Sequence, residues 1–342
     1  MVTVKDVARL AGVSPMTVSR VVNGNAQVNA EMRDRVLLSI AELGYVRNAS
    51  ASRLRAPSAP GYTLGLILRD VSNPFSAEMQ RAVEDFLRQS GSLVLMASND
   101  DDTNLTRQLT EVMQRFRVDG LIVAPPPGDQ GYLSALVERG FPVVLVDRPS
   151  AGVDVPFVIS DNFEAIKGAV LHLSSFGHKH IAFLGDERSA PMEARRDGFR
   201  AGLVECKISP DEAFERLDAS TMEEATAITS HLLTVASPPT AFIGGRNAVS
   251  IGILRALRAA GKQHRVALVS FDDIELAAEL DPGLTAIAQD PTTIGQRAAR
   301  LVLEMIQTNG PRSPGESIVV PTHLIARGSG EIPAPQTPQG VD

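Results

Sequence analysis

Pro15, Met16, Thr17, Ser19, Arg20 and Asn23 are interleaved with the apolar residues Val18, Val21 and Val22. An arginine fork can hydrogen-bond two acceptors of guanine in the major groove, and hydroxyl and amide side chains suit phosphates or base edges. This spacing therefore suggests a helix with one inward apolar face and one outward face able to read DNA. The helix has its own start signal, Ser14 followed by Pro15, a capping residue and a first-turn proline. A second start signal lies upstream, where Thr3 is followed three residues later by Asp6. Val4, Val7, Ala8 and Ala11 mark the inward face of that earlier helix, and Gly12 supplies the turn. Two short helices joined this way form a helix-turn-helix, which places its second helix in the major groove. The alternative is a capped helix pair inside a larger bundle. Thr3 and Ser14 join the candidate DNA contacts.

A second group of reactive side chains is spread along the rest of the chain. It comprises the stretch from Arg69 to Phe75, Asp147-Arg148-Pro149, Asp161-Asn162, the loop 186–195, Arg246-Asn247 and Asp272-Asp273. Each follows a short apolar run or opens the helix after one, and ligands of open α/β sheets sit beyond the carboxyl ends of the strands. Asp147, Asp161 and Asp272 are chemically able to act as general acids or bases, or equally to accept hydrogen bonds from ligand hydroxyls. No G-x-S-x-G elbow, Walker loop, dinucleotide glycine fingerprint or H-E-x-x-H motif accompanies them, so no catalysis and no cofactor are expected. His172, His178 and His180 are close in sequence, but two of them sit in a helix-to-strand turn where surface histidines are ordinary. No metal site is expected. Cys206 is the sole cysteine, which excludes a disulfide within one chain and a thiolate metal cluster.

The elements that must position these residues follow from the apolar periodicity. Asn29 caps a third helix through Leu43, with Met32, Val36, Leu37, Ile40 and Leu43 as its buried stripe. It completes a small three-helix head. From Tyr62 onward short apolar runs alternate with helical stretches, the rhythm of a parallel sheet covered on both faces. The rhythm restarts after Val158-Ile159-Ser160, which predicts two α/β lobes with a cleft between them. The expected organisation is a head at 1–46, a hinge helix and linker at 47–60, and a core at 61–330. Lobe one spans about 61–160 plus 290–316, and lobe two about 161–289 plus 317–330. The tail 331–342 reads as disordered and lacks leucine heptads.

At 342 residues the chain can hold more than one core, and 44% hydrophobic content is ordinary. No apolar run reaches the roughly 20 residues that span a membrane. The N-terminus enters a capped helix at once, so no secretory signal is expected and a soluble cytoplasmic protein is. Residues 1–58 carry eight basic and four acidic side chains, whereas the whole chain is at −7. A basic head on an acidic body suits a DNA-binding module joined to a sensor.

The run from Thr3 to Ser14, then Thr17-Val18-Ser19-Arg20-Val21-Val22-Asn23 and Glu42-Leu43-Gly44-Tyr45, resembles the N-terminus of the lactose/galactose repressor family of bacterial transcription regulators. The resemblance extends to about residue 330. It implies a homodimeric cytoplasmic repressor that reads a palindromic operator. It also implies a two-lobed core like the periplasmic sugar-binding proteins, with a small effector between the lobes. The hinge helix of the family would fall at 48–55, with Leu54 as the leucine that wedges into the minor groove. Asn48 belongs to the same group of DNA contacts. The chain departs from the family pattern at Tyr45-Val46-Arg47-Asn48, where the usual proline is missing. A second reading stays open: a two-lobed sugar-binding protein or α/β enzyme with an appended DNA-binding head.

By resemblance Arg195 is an effector-contacting arginine and Asp272 an acceptor of ligand hydroxyls. Arg148 and Arg246 stand where the family often has other residues, and Arg69 follows the first strand. Together with Phe75 and Asp147 these form the expected effector site. Four arginines around one cleft would repel each other without an anion, which favours a sugar acid or phosphosugar. The alternative is that Arg69, Arg148 and Arg246 pair with Asp70, Asp147 and Asp273 and leave a neutral sugar site. No aromatic residue stands near Asp218-Ala219, which disfavours a purine.

Overall fold

The computed structural model describes residues 2–22, 28–45, 61–186, 189–308 and 317–335. Asn23, Asn48, Leu54 and the expected hinge and linker at 47–60 lie outside these residues. The chain divides into two compact units, residues 1–60 and 61–342.

In the first unit, helices span Val4–Ala11, Pro15–Val22 and Ala30–Leu43. The Asp6 carboxylate accepts from the Thr3 amide at 2.9 Å and the Thr3 hydroxyl at 2.7 Å, which satisfies the first helix's start. Gly12 ends that helix at φ +64, a conformation open to glycine at little cost. Val7, Ala8, Ala11, Val18, Val21 and Val36 make the small core. The third helix departs from the expected stripe. Val36 is buried, Met32, Ile40 and Leu43 are half-buried, and Leu37 is 49% exposed. Val36, Ile40 and Leu43 share one face at helical spacing, and Leu37, a hundred degrees round from Val36, cannot join them.

The second unit holds two six-stranded sheets of the same design. The first comprises β1 (Thr63–Leu68), β2 (Leu93–Ser98), β3 (Gly120–Val123), β4 (Val143–Val146), β5 (Phe157–Ser160) and β11 (Ser317–Val320), in the order β11-β5-β4-β3-β1-β2. The second comprises β6 (Ile181–Leu184), β7 (Glu215–Arg216), β8 (Ala241–Gly244), β9 (Ala267–Phe271), β10 (Thr285–Ala288) and β12 (His323–Ile325), in the order β12-β10-β9-β8-β6-β7. All pairings are parallel except β10 with β12. The inner strands β3, β4, β6, β8 and β9 are buried throughout, as strands covered by helices on both faces must be. Four apolar clusters fill the two faces of the two sheets.

Two expectations are corrected here, and two strands are added. Ser317–Val320, assigned from sequence to lobe two, pairs in parallel with Phe157–Ser160 in the first sheet. Strands β10 and β12, four and three residues long, were not legible as strands. The tail expected to be disordered from 331 is fastened through 335. Glu331 accepts from Thr285 Oγ1 at 2.7 Å, the buried His178 bonds the Ile332 carbonyl at 2.8 Å, and the Ala334 amide donates to Phe176. His172 bonds Glu331 at 2.6 Å and His180 bonds Ser237 at 3.3 Å, so each of the three histidines has a separate protein partner.

The helices Asn162–Ser175 and Ala190–Glu205 pack closely because Gly198 faces backbone. A Cβ there would lie 2.2 Å from the Phe163 carbonyl oxygen. Gly198→Ala is expected to destabilise the core by about 1–3 kcal/mol, the usual cost of overpacking. Chemical denaturation of the variant measures it, and an unchanged midpoint would mean the helices separate freely.

Candidate functional site

Each sheet reverses its strand order once, between β1 and β3 in the first and between β6 and β8 in the second. Such switch points open crevices for ligands at the carboxyl ends of the strands. Arg69 follows β1, Asp186 lies just beyond β6 and Arg246 just beyond β8, so the crevices of the two lobes carry charged side chains. Asp147 and Asp272 are the residues immediately after β4 and β9, which occupy equivalent places in the two sheets. Both have left-handed backbone, at φ +67 and +74. Aspartate tolerates this region better than most residues, and such backbone clusters at ligand sites.

These residues line one open cleft between the carboxyl ends of the two sheets. Arg69, Phe75, Asp147, Arg148, Arg195, Arg246 and Asp272 all lie on its wall, so the structure gathers every sequence-selected effector residue. Asn73, Asp186, Asn247 and Gln289 join them.

Arg195 is 6% exposed. Its Nε donates to Asn162 Oδ1 at 2.8 Å, its Nη1 donates to the Gly245 carbonyl at 2.7 Å, and its guanidinium lies 3.4 Å from the Phe271 ring centroid. Burial pushes this guanidinium down to about 10, against the attraction of Asp272 and Asp147. Gln289 Nε2 donates to Asp272 Oδ1 at 2.6 Å, while Gln289 Oε1 accepts from the Ser160 hydroxyl at 2.6 Å. Burial raises the Asp272 carboxyl above its ordinary value, opposed by Arg195 and by hydrogen bonds from Gln289 and the Asn247 N–H. Asn162, which holds Arg195, and Gln289, which holds Asp272, follow β5 and β10, where the chain passes from one sheet to the other.

The other arginines are paired. Arg69 Nε meets Asp101 at 2.7 Å, and Arg148 Nη1 meets the other oxygen of Asp101 at 3.1 Å. Arg148 also reaches Asp147 at 3.1 Å. Burial alone would lower Arg148, but Asp147 and Asp101 outweigh it and hold the guanidinium above its usual value. Arg246 meets Asp186 at 2.7 Å. The argument for an acidic effector from uncompensated arginines is thereby corrected, because four guanidinium groups stand among four carboxylates. The partners differ from the expected ones except for Arg148 with Asp147. Asp70 caps its own turn at Ser72, and Asp273 binds Arg327. Asp101 and Gln289 were missed by sequence reasoning. The run Asn99-Asp100-Asp101-Asp102 reads as a solvated turn, and nothing local marks which of its carboxylates turns inward.

In the head, Pro15, Met16 and Arg20 are exposed, with Met16 at 66%. Thr17 and Ser19 are half-buried. The Ser14 hydroxyl accepts from the Thr17 amide at 3.1 Å, which caps the helix, and pairs with the Thr17 hydroxyl at 2.9 Å. Among the described residues no group of three or more His, Cys, Asp or Glu side chains could hold a metal ion, and no helix is long and apolar enough to cross a membrane.

A helix-turn-helix head joined to a two-lobed core with a charged, hydrogen-bonding cleft defines the class of ligand-responsive DNA-binding regulators. Residues 3–48 match the model of bacterial regulatory proteins of the lacI family, and residues 170–330 match a periplasmic binding protein-like domain. The HTH-type transcriptional regulator PtxS of Pseudomonas plecoglossicida is 30% identical over 349 residues, covering 97% of this chain and 96% of its own. The structure of the Lac repressor dimer bound to operator and the anti-inducer ONPF is similar at a TM-score of 0.81 and 26% identity, over 96% of this chain and 99% of that one. A LacI family regulator from Enterococcus faecium with bound ribose is similar at a TM-score of 0.70 and 27% identity, over 80% of this chain and 100% of that one. The chain belongs to the LacI family of bacterial transcriptional regulators.

Proposed function

We propose that this regulator represses transcription from a palindromic operator as a cytoplasmic homodimer, without catalysis, and that a neutral, polyhydroxylated sugar in the cleft controls its operator affinity. The observation that carries the effector class is the pairing of the cleft arginines with carboxylates. A neutral ligand leaves this balance intact, while Asp147 and Asp272, one from each lobe, accept hydrogen bonds from its hydroxyls. Ribose in the Enterococcus faecium relative supports a sugar of this size. The sugar acid or phosphosugar expected from sequence would add charge to a cleft that already has its counter-ions. Dimerisation is supported by β2, an edge strand that exposes Leu93 and Leu95, since an apolar edge invites a covering chain. A ligand bound by residues of both lobes favours the closed cleft, and closure is the step that alters operator affinity.

The test is a thermal-shift panel of neutral pentoses and hexoses, aldonates, uronates, sugar phosphates and nucleobases. It is followed by operator binding with and without each stabilising compound. A neutral sugar is expected to raise the melting temperature and change operator affinity. Stabilisation by aldonates or sugar phosphates alone would overturn the neutral-effector reading. Turnover of a stabilising compound would favour the enzyme alternative.

A further inference from the structure

Asp101 is a carboxylate of the cleft that stands slightly behind its wall. It lies just past the end of β2 at φ +58, and the preceding Asp100 is also left-handed at φ +51. The Asn99 side chain pins this turn by donating to the Ala124 carbonyl at 2.9 Å and accepting from the Asp101 amide at 3.1 Å. The turn aims the Asp101 side chain at two arginines of the cavity, with Oδ2 2.7 Å from Arg69 Nε and Oδ1 3.1 Å from Arg148 Nη1. Arg148 is 6% exposed, so its charge is largely removed from water and its counter-ion must come from the protein or a ligand.

A guanidinium carries five donors; Asp101 takes one on each arginine and Asp147 engages Nε and Nη2 of Arg148, so both groups keep donors to spare. A carboxylated or phosphorylated ligand would compete with Asp101 for the same two cations. A hydroxyl would not. Resting on the reading of this cleft as the effector site, we propose that Asp101 sets its charge selectivity. Its carboxylate is the built-in counter-anion of Arg69 and Arg148, and it makes the cleft select neutral polyhydroxylated ligands over anionic ones.

The test uses the full chain and inorganic sulfate as probe, titrated by calorimetry against sodium chloride of equal ionic strength. Asp101→Asn keeps the shape of the side chain and its tolerance of left-handed backbone while removing the charge. The variant is expected to bind sulfate saturably and at least about tenfold more tightly than the unaltered protein, because Arg69 loses its ion pair with Asp101 and Arg148 keeps only Asp147. The gain should vanish in Asp101→Asn combined with Arg69→Gln. If Asp101→Asn does not fold, Asp101→Gly removes the same charge in a backbone that suits glycine. Equal sulfate affinity in the unaltered protein and the variant, or no saturable binding in either, overturns the proposal. Neither outcome touches the regulator reading, which the operator and sugar measurements on the unaltered protein decide separately.

Discussion

Deletion of residues 1–60 is expected to abolish operator binding while the remaining core, residues 61–342, keeps a cooperative melt and its response to the effector. The two units have separate hydrophobic cores. That of the head comprises Val7, Ala8, Ala11, Val18, Val21 and Val36, and none of these belongs to the four clusters of the two sheets. Among the described residues, removing the head therefore takes no side chain from these four clusters. The basic surplus leaves with the head, and the core that remains carries net negative charge, which disfavours DNA at any sequence. Electrophoretic mobility shift of the truncated protein checks the first half and thermal shift the second. A truncated core that still selects the operator would remove the division of labour between head and core. Arg20→Ala is the graded counterpart within the head. Arg20 is exposed beside Met16 on the face opposite Val18 and Val21. Loss of a bidentate base contact should cost about 1–3 kcal/mol and relax specificity at one base pair per half-site. Equal weakening on all sequences would make Arg20 a phosphate contact instead.

What could be read from the sequence divides along physical lines. The head helices announce themselves through local signals: Thr3 with Asp6, Ser14 with Pro15, and Gly12 between them, all within reach of one another in the chain. The long helices and inner strands of the core followed from apolar periodicity. The short outer strand His323–Ile325 escaped because three residues, two exposed and one half-buried, carry no period, and Thr285–Ala288 because small residues weaken the apolar signal. Its neighbour Ser317–Val320 was placed in the wrong lobe, since nothing in a four-residue strand names the sheet it will join. The cleft was legible as a set of residues and not as a set of partners. Strand-end position brought Arg69, Asp147, Arg148, Arg246 and Asp272 together, whereas the ion pairs that decide the charge were made by residues distant in sequence. Asp101 lies 47 positions from Arg148 and Asp186 lies 60 from Arg246. Counting like charges along the chain therefore overstated the repulsion that folding resolves.

Arg195→Met is expected to abolish effector binding and leave the fold standing. Arg195 is held from three sides, by Asn162, by the Gly245 carbonyl and by the Phe271 ring, and burial has already brought its guanidinium down to about 10. Keeping the charge there at neutral pH costs on the order of 3 kcal/mol, since each unit of displacement is worth about 1.4 kcal/mol. No described carboxylate lies within ion-pair distance to repay it, although Asp272 and Asp147 act from farther off. Methionine of similar reach fills the space over Phe271 and removes the cost of burying charge. It also leaves Asn162 Oδ1 and the Gly245 carbonyl without their donor, a loss of about 1–3 kcal/mol for each group left unsatisfied. The opposing terms are similar in size, so the melting temperature should move by only a few degrees. Effector affinity should fall at least about a hundredfold if, as proposed, the buried arginine fork gives both direction and charge to a ligand oxygen. Arg195→Lys restores charge without the fork and should recover only a small part of the affinity. Titration of the compound found in the sugar panel against both variants measures this. If Arg195→Met binds that compound within threefold of the unaltered protein, Arg195 serves to brace Asn162 and Phe271, and the ligand is held by Asp147, Asp272 and their neighbours alone.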